Sequence, residues 1–179
     1  MLATPFGAFE IFFLHSVHCD ERSVVIPGEA TIAMTTESPR PVPAVGVVCF
    51  RGEEVLLVRR GKPPREGHWT LPGGRIEWGE RAADAALREL KEETACDAIL
   101  VGLIDVIDGL FERPADVPES AWPHYVLIDY AARWTAGEPK GGDDAADARF
   151  FSPAEIKDLD LWSETLRVIS VARGMVKAS

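Results

Sequence analysis

Apolar and polar positions change rhythm several times between Val42 and Lys177, and each change predicts an element. From Ala44 to Val58 the runs AVGVVCF and VLLV are apolar or β-branched and are separated by RGEE, which predicts a hairpin of two buried strands. RRGKPPREGHW breaks that pattern with Gly61, Pro63, Pro64 and Gly67 and predicts a surface loop, rich in Arg59, Arg60, Lys62 and Arg65. TLPGGRIEWGE continues as a short strand and a glycine loop. Between Arg81 and Thr94, Ala83, Ala86, Leu87 and Leu90 recur at helical spacing, so that stripe is expected to face a core. AILVGLIDVI and HYVLIDYAARW predict two further strands, divided by a loop carrying Pro114, Pro118 and Pro123, and ARFF predicts a short last one. Ser152, Pro153 and Glu155 are placed to be the cap, first-turn proline and capping-box acid of a helix. The amphipathic stretch from Ser163 to Lys177 offers Leu166, Ile169 and Val176 for docking on a sheet. Interleaved strands and helices of this kind predict an α/β layered domain around a mixed sheet.

The residues ahead of this pattern differ. TTESPRPVP, with Pro39, Pro41 and Pro43, favours extended backbone, so residues 1–41 read as an N-terminal extension and proline-rich linker, and 42–179 as the domain. Met34 precedes the linker, and residues 1–33 are expected to be dispensable. HSVHC holds ligand-type side chains (His15, His18, Cys19) but lacks a matching second half, and reads as ordinary tail. FGAFEIFFLHSV is short and interrupted by Glu10, and no Lys or Arg precedes Arg22, so neither a membrane span nor a signal peptide is expected.

A chain of 179 residues with 46% hydrophobic content is long enough for one domain with a real core. Its net charge of −10 argues against a phosphate-tracking surface for nucleic acid, and an anionic substrate would need cations as intermediaries. Cys19, Cys49 and Cys96 stand far apart without CxxC spacing, which indicates neither a zinc cluster nor a disulfide framework and points to a reducing cytoplasm.

The densest chemistry lies in RELKEET. On a helix Glu89 neighbours both Glu92 and Glu93, and each like-charge pair costs roughly 0.2–0.5 kcal/mol. A partner outside the helix should offset that repulsion. Clustered hard oxygens suit Mg²⁺ or Mn²⁺, which neutralise carboxylates and bridge to phosphates. Upstream, Gly73 and Gly74 let backbone approach a ligand, and the Arg88 fork can orient Glu80 or a neighbouring glutamate. The loop has neither GxGxxG nor a Lys-Ser/Thr ending, which removes those nucleotide-binding readings.

The run GGRIEWGERAADAALRELKEETAC resembles the signature of the Nudix hydrolases: Gly, five residues, Glu, seven residues, Arg-Glu, an aliphatic, any residue, Glu-Glu, any residue, Gly, an aliphatic. Gly74, Glu80, Arg88, Glu89, Leu90, Glu92 and Glu93 fall on it. Ala95 stands where glycine is expected and Cys96 where an aliphatic is, so alanine is expected to cost about 1 kcal/mol at a left-handed helix end. The likeness runs from about Val42 to Arg173 and is similar to the ADP-ribose pyrophosphatase branch. It implies an α/β/α sandwich around a mixed β-sheet, a small nucleotide substrate and Mg²⁺-dependent hydrolysis of a nucleoside diphosphate linked to another group, with ADP-ribose giving AMP and ribose 5-phosphate. It also implies that Glu89, Glu92 and Glu93 with the Gly73 carbonyl hold metal, that Arg88 and Glu80 belong to the catalytic set, and that a homodimer is plausible. The base is drawn from Glu93 or Glu89 or from a later loop, where Asp143, Asp144 and Asp147 lie in a segment that also reads as a solvated turn. A triphosphate pyrophosphatase and a non-catalytic nucleotide sensor remain as alternatives.

Substrate contacts are thinner. Trp78, Trp122 and Tyr125 are candidates to stack on a base, and Arg59, Arg60 and Arg65 to meet phosphate, while His68 and His124 read as structural. Expression from Met34, without residues 1–33, should leave folding and activity intact; an insoluble or inactive product would refute the dispensable extension.

Overall fold

The computed structural model describes residues 40–62, 66–110, 113, 115, 117 and 122–179, which lie within one compact unit, Ser38–Ser179. The expected extension and linker fall almost wholly outside the described residues. Strand β1 (Val42–Arg51) and strand β2 (Glu54–Arg60) form the hairpin, with Phe50 opposite Val55 and Arg51 opposite Glu54. Then come β3 (Trp69–Thr70), α1 (Ala82–Thr94), β4 (Asp97–Gly109), β5 (Tyr125–Ala136), β6 (Ala145–Phe151), α2 (Pro153–Ile156) and α3 (Ser163–Ala178). The strands make one mixed sheet in the order β3-β2-β1-β5-β4, with β6 also on β2. β1 and β5 run parallel over Val42–Phe50 and Tyr125–Arg133, and the other pairs are antiparallel. Among the described residues no helix is long and apolar enough to cross a membrane.

Alternation along β1 explains the layers, since successive side chains leave opposite faces. Val45, Val47 and Cys49 join Ala85, Ala86 and Leu90 of α1 in one core, whereas Val48 and Phe50 join Val168, Ile169 and Ala172 of α3 in another. A helix therefore covers each face, and the domain is an α/β/α sandwich around a mixed sheet. Leu90 is fully buried, a burial worth roughly 1.5–3 kcal/mol.

The helices turn differently from the stripes expected of them. In α1 the buried residues are Ala85, Ala86, Leu90 and Thr94, and Leu87 is 36% exposed. Ala86, Glu89, Leu90 and Glu93 then follow the i, i+3, i+4, i+7 spacing of one face, so Glu89 and Glu93 flank the core. In α3, Thr165, Val168, Ile169 and Ala172 dock, Val176 packs at the margin and Leu166 is 42% exposed. The capping box at α2 is present: Ser152 Oγ accepts from Glu155 N–H at 3.3 Å, and Glu155 Oε2 accepts from Ser152 N–H at 2.8 Å.

Helix α1 ends where the missing glycine was noted. Ala95 is left-handed, with φ 60° and ψ 9°, and its N–H donates to the Lys91 carbonyl at 2.9 Å. A Cβ in this region is strained, so Ala95→Gly should stabilise the protein by about 1 kcal/mol, raising Tm by about 2–4 °C in thermal melts. An unchanged or lower Tm would show that the surrounding turn has absorbed the strain.

Candidate active site

Segment 69–75 first pairs with β2 and then moves onto β1. Trp69 and Thr70 face Arg59 and Val58, after which Val47 N–H donates to the Pro72 carbonyl at 2.9 Å and Val45 N–H to the Gly74 carbonyl at 2.8 Å. Glycines permit this passage. A Cβ on Gly73 would stand 2.1 Å from the Val45 carbonyl oxygen, and one on Gly74 2.5 Å from the Glu89 carboxyl carbon. The loop is thus seated between β1 and α1, and Gly73 N–H donates to Glu93 Oε2 at 2.8 Å.

Arg88 organises the remaining acids. Its Nε and Nη2 donate to the two oxygens of Glu80 at 2.8 and 2.9 Å, and its Nη1 donates to Glu89 Oε1 at 2.8 Å and Glu92 Oε2 at 3.0 Å. Nη2 also reaches the Arg75 carbonyl at 3.2 Å, fixing the fork to the loop. One cation therefore offsets part of the repulsion among three carboxylates, with the planar fork supplying directionality.

Environment separates these acids. The Arg88 hydrogen bonds hold Glu80 below the usual carboxylate range. Burial raises Glu89 against the pull of Arg88, and the Glu92 and Asp143 charges add to the rise. Burial pushes Glu93 up to about 7 despite the Gly73 N–H, with Glu89 and Asp143 adding repulsion and Arg60 opposing it. Two half-buried carboxylates thus ionise at a cost that the protein's own cations do not fully compensate. Among the described residues no three acidic, His or Cys side chains close on one point as a ready metal cage. Arg88 stands between Glu89 and Glu92, while Glu93 is turned to Gly73.

The other candidates divide. Arg60, at the end of β2, lies close enough to act on Glu93, and Asp143, with φ 49°, acts on Glu89 and Glu93. The Asp143 loop is packed on α1: Lys140 N–H donates to the Thr94 carbonyl at 3.0 Å and Gly142 N–H to the Glu93 carbonyl at 3.1 Å. It is therefore a docked segment, not only a solvated turn. Asp144 pairs instead with Lys62, and Asp147 lies opposite Arg59 in the β2–β6 pairing. Trp78 is 104% exposed and forms no wall of the cradle in this conformation. Tyr125 is half-buried at the start of β5, opposite Val42, several residues along the strands from the β1 positions that meet Gly73. His124 Nε2 lies 3.4 Å from Asp108 Oδ1, and His68 Nδ1 lies 3.4 Å from the Glu66 carbonyl. Arg65 lies outside the described residues. One acid was not singled out in the sequence: Asp129 is 4% exposed in the middle of β5. Its signal was a single carboxylate inside the apolar run VLIDYAA.

Known proteins are similar to this chain in sequence and in fold. The ADP-ribose pyrophosphatase of Methanocaldococcus jannaschii is 34% identical over 111 residues, 62% of each chain. Human 8-oxo-dGDP phosphatase NUDT18 is 32% identical over 117 residues, 61% of this chain and 32% of its own. The chain thus spans about three fifths of the first relative's length and a third of the second's. Among solved structures, a MutT NUDIX hydrolase from Burkholderia pseudomallei superposes with a TM-score of 0.59 at 26% identity, over 73% of this chain and 97% of that one. The NUDIX domain of Shewanella oneidensis NrtR, complexed with ADP ribose, shares the fold with a TM-score of 0.61 at 24% identity, covering 76% and 89% of the two chains. Residues 40–170 match the NUDIX domain, a span that holds the glycine loop, the Arg88 fork and the α1 glutamates together, and the chain belongs to the NUDIX family.

Proposed function

We propose that this chain is a divalent-cation-dependent diphosphatase that hydrolyses a nucleoside diphosphate linked to another moiety, with ADP-ribose giving AMP and ribose 5-phosphate. The observation that carries the reading is the cradle itself: half-buried Glu89 and Glu93 face a glycine loop, and Arg88 ties Glu89 to Glu80 and Glu92. The choice of ADP-ribose draws on the named activity of the 34% identical relative.

The donor set suits a hard cation. Glu89, Glu92 and Glu93 offer carboxylate oxygens and Gly73 a carbonyl, the ligand types of Mg²⁺ or Mn²⁺, and the raised Glu89 and Glu93 mark charge that such an ion would neutralise. When bound, the ion supplies Lewis-acid polarisation of the diphosphate and acidifies water. The protein's own groups do the rest. Arg88 keeps Glu80 ionised, which makes Glu80 a poor proton acceptor and an anchor for the fork. That fork orients Glu89 and Glu92. Gly73 N–H fixes one oxygen of Glu93, leaving the other to accept a proton from attacking water, with Glu89 and the later-loop Asp143 as the neighbouring candidates for that role. Arg60, whose charge acts on Glu93, would meet a phosphate oxygen there.

Activity should require a divalent cation and fall by roughly 100-fold or more in Glu93→Gln and Glu92→Gln with folding retained, the scale of loss when a site group of this kind is removed. Full turnover in EDTA, once metal removal is verified, would refute the metal requirement.

Stability gives a readout independent of turnover. In metal-free protein Glu93 titrates at about 7, above its ordinary 4.5, so its ionisation opposes folding. The stability it contributes when protonated is fully present below about pH 4.5 and is lost as pH rises through about 7. At pH 8 in EDTA, Glu93→Gln should therefore be more stable than wild type by on the order of 1–3 kcal/mol, the gap closing toward pH 5. Adding Mg²⁺ should raise the Tm of wild type and leave the variant nearly unmoved. Identical Mg²⁺ responses would remove Glu93 from the ligand set.

NUDT18 is named for activity on 8-oxo-dGDP, and the cradle alone does not choose between a nucleotide and ADP-ribose. Comparing kcat/KM for ADP-ribose with a set of nucleoside triphosphates should favour ADP-ribose. A triphosphate preferred by more than about tenfold, roughly 1.4 kcal/mol, would replace that substrate and leave the diphosphatase chemistry standing.

A further inference from the structure

The segment ahead of β6 is tied down on two sides. On one side it meets the end of α1, where the last carbonyls of a helix lack intrahelical partners. Lys140 N–H donates to the Thr94 carbonyl at 3.0 Å and Gly142 N–H to the Glu93 carbonyl at 3.1 Å. On the other side it meets the end of β2: Gly61 N–H donates to the Asp144 carbonyl at 2.8 Å, and Lys62 Nζ pairs with the Asp144 carboxylate. Both approaches are close. A Cβ on Gly61 would stand 2.9 Å from the Asp144 carbonyl oxygen, and one on Gly142 2.5 Å from the Glu92 carbonyl oxygen. The span between is a tight turn, closed by Ala145 N–H donating to the Gly142 carbonyl at 2.9 Å.

Within this turn Asp143 is left-handed, with φ 49°, a conformation that aspartate adopts more readily than most residues. Its charge acts on Glu89 and Glu93 in the cradle and on Lys62 outside it, so its carboxylate stands among those groups. The adjacent Asp144 is turned to Lys62, and its hydrogen bond and charge hold the ammonium above its ordinary range. Lys62 and Asp144 are 67% and 51% exposed, and an exposed pair of this kind adds little to global stability. Its effect is local. The pair joins residues 82 apart in the chain and, by engaging Asp144, leaves Asp143 as the aspartate that faces the cradle.

We propose that Lys62 and Asp144 are positioning residues, whose ion pair holds the turn so that the Asp143 carboxylate faces Glu89 and Glu93 and strengthens the hold on the divalent cation. The proposal rests on the cation-dependent reading above.

The sign of the lysine's charge separates positioning from simple electrostatics. Removing a positive side chain near a cation site tightens cation binding if the charge acts only through space. It weakens binding if the lysine acts by holding Asp143. The measurements are Mg²⁺ titration of the full chain by calorimetry and amide hydrogen exchange of the metal-free protein by NMR. Lys62→Met and Asp144→Ala should each weaken Mg²⁺ binding by roughly tenfold, the lower end of the loss when a group behind a metal ligand is removed. Both should also speed exchange of the Lys140 and Gly142 amides, and Lys62→Arg should keep wild-type behaviour in both measurements. In an Asp143→Asn background, Lys62→Met should weaken binding no further. Tighter or unchanged Mg²⁺ binding in Lys62→Met would overturn the proposal and leave the cation reading standing. So would a tenfold loss from Lys62→Met that persists without the Asp143 carboxylate. A wild-type chain that binds neither Mg²⁺ nor Mn²⁺ would overturn the cation reading, and the proposal with it.

Discussion

Everything at this site follows from seating a backbone loop between a strand and a helix that carries acids. Gly73 and Gly74 are pressed against β1 on one side and the Glu89 carboxylate on the other, a spacing that tolerates no side chain. Because the loop is that close, Glu89 and Glu93 lose water without gaining full compensation. Their raised proton affinities and the four-way engagement of Arg88 are two consequences of one steric fact. The loop's position depends in turn on β1 amides that bond to Pro72 and Gly74 carbonyls, so the sheet sets the chemistry through backbone amides as much as through its side chains.

Burial also assigns the acids different work. Glu80 and Glu93 are the same residue type within one cluster, yet one is drawn down by a bidentate arginine and the other driven up by desolvation. Carboxylates separated in this way suit the proposed roles of a fixed anion and of a proton acceptor near neutral pH. On the opposite side of the sheet, Asp129 shows the desolvation effect opposed only by the charge of Arg167, with no hydrogen bond from it.

Spacing made the helix, the Arg88 and glutamate set and the capping box legible in the sequence, because these depend on residues a few positions apart. Rotation of α1 about its axis was not legible. Ala83 and Leu87 fit a helical stripe as well as Ala85 and Ala86 do, and only the sheet beneath decides which pair is covered. Leu166 misled for the same reason, since α3 docks through Val168 and Ala172. Docking of the Asp143 loop on α1 depends on contacts about fifty residues apart in the chain, beyond any local pattern. Asp129 could not be weighed until the parallel pairing of β1 and β5 put it across from Gly46.

That parallel pairing has a kinetic consequence. β1 and β5 are adjacent in space but their partners, such as Val45 and Ile128, are far apart in sequence, and such contacts close late because the loop entropy precedes the reward. The hairpin and α1 consist of local contacts and can form early, leaving the glutamates hydrated and ordinary in acidity. Only when β5 inserts beside β1 is the second layer complete. On contact order the electrostatic strain of the acidic cluster is expected to arise late in folding, when enough of the sheet is in place to hold it.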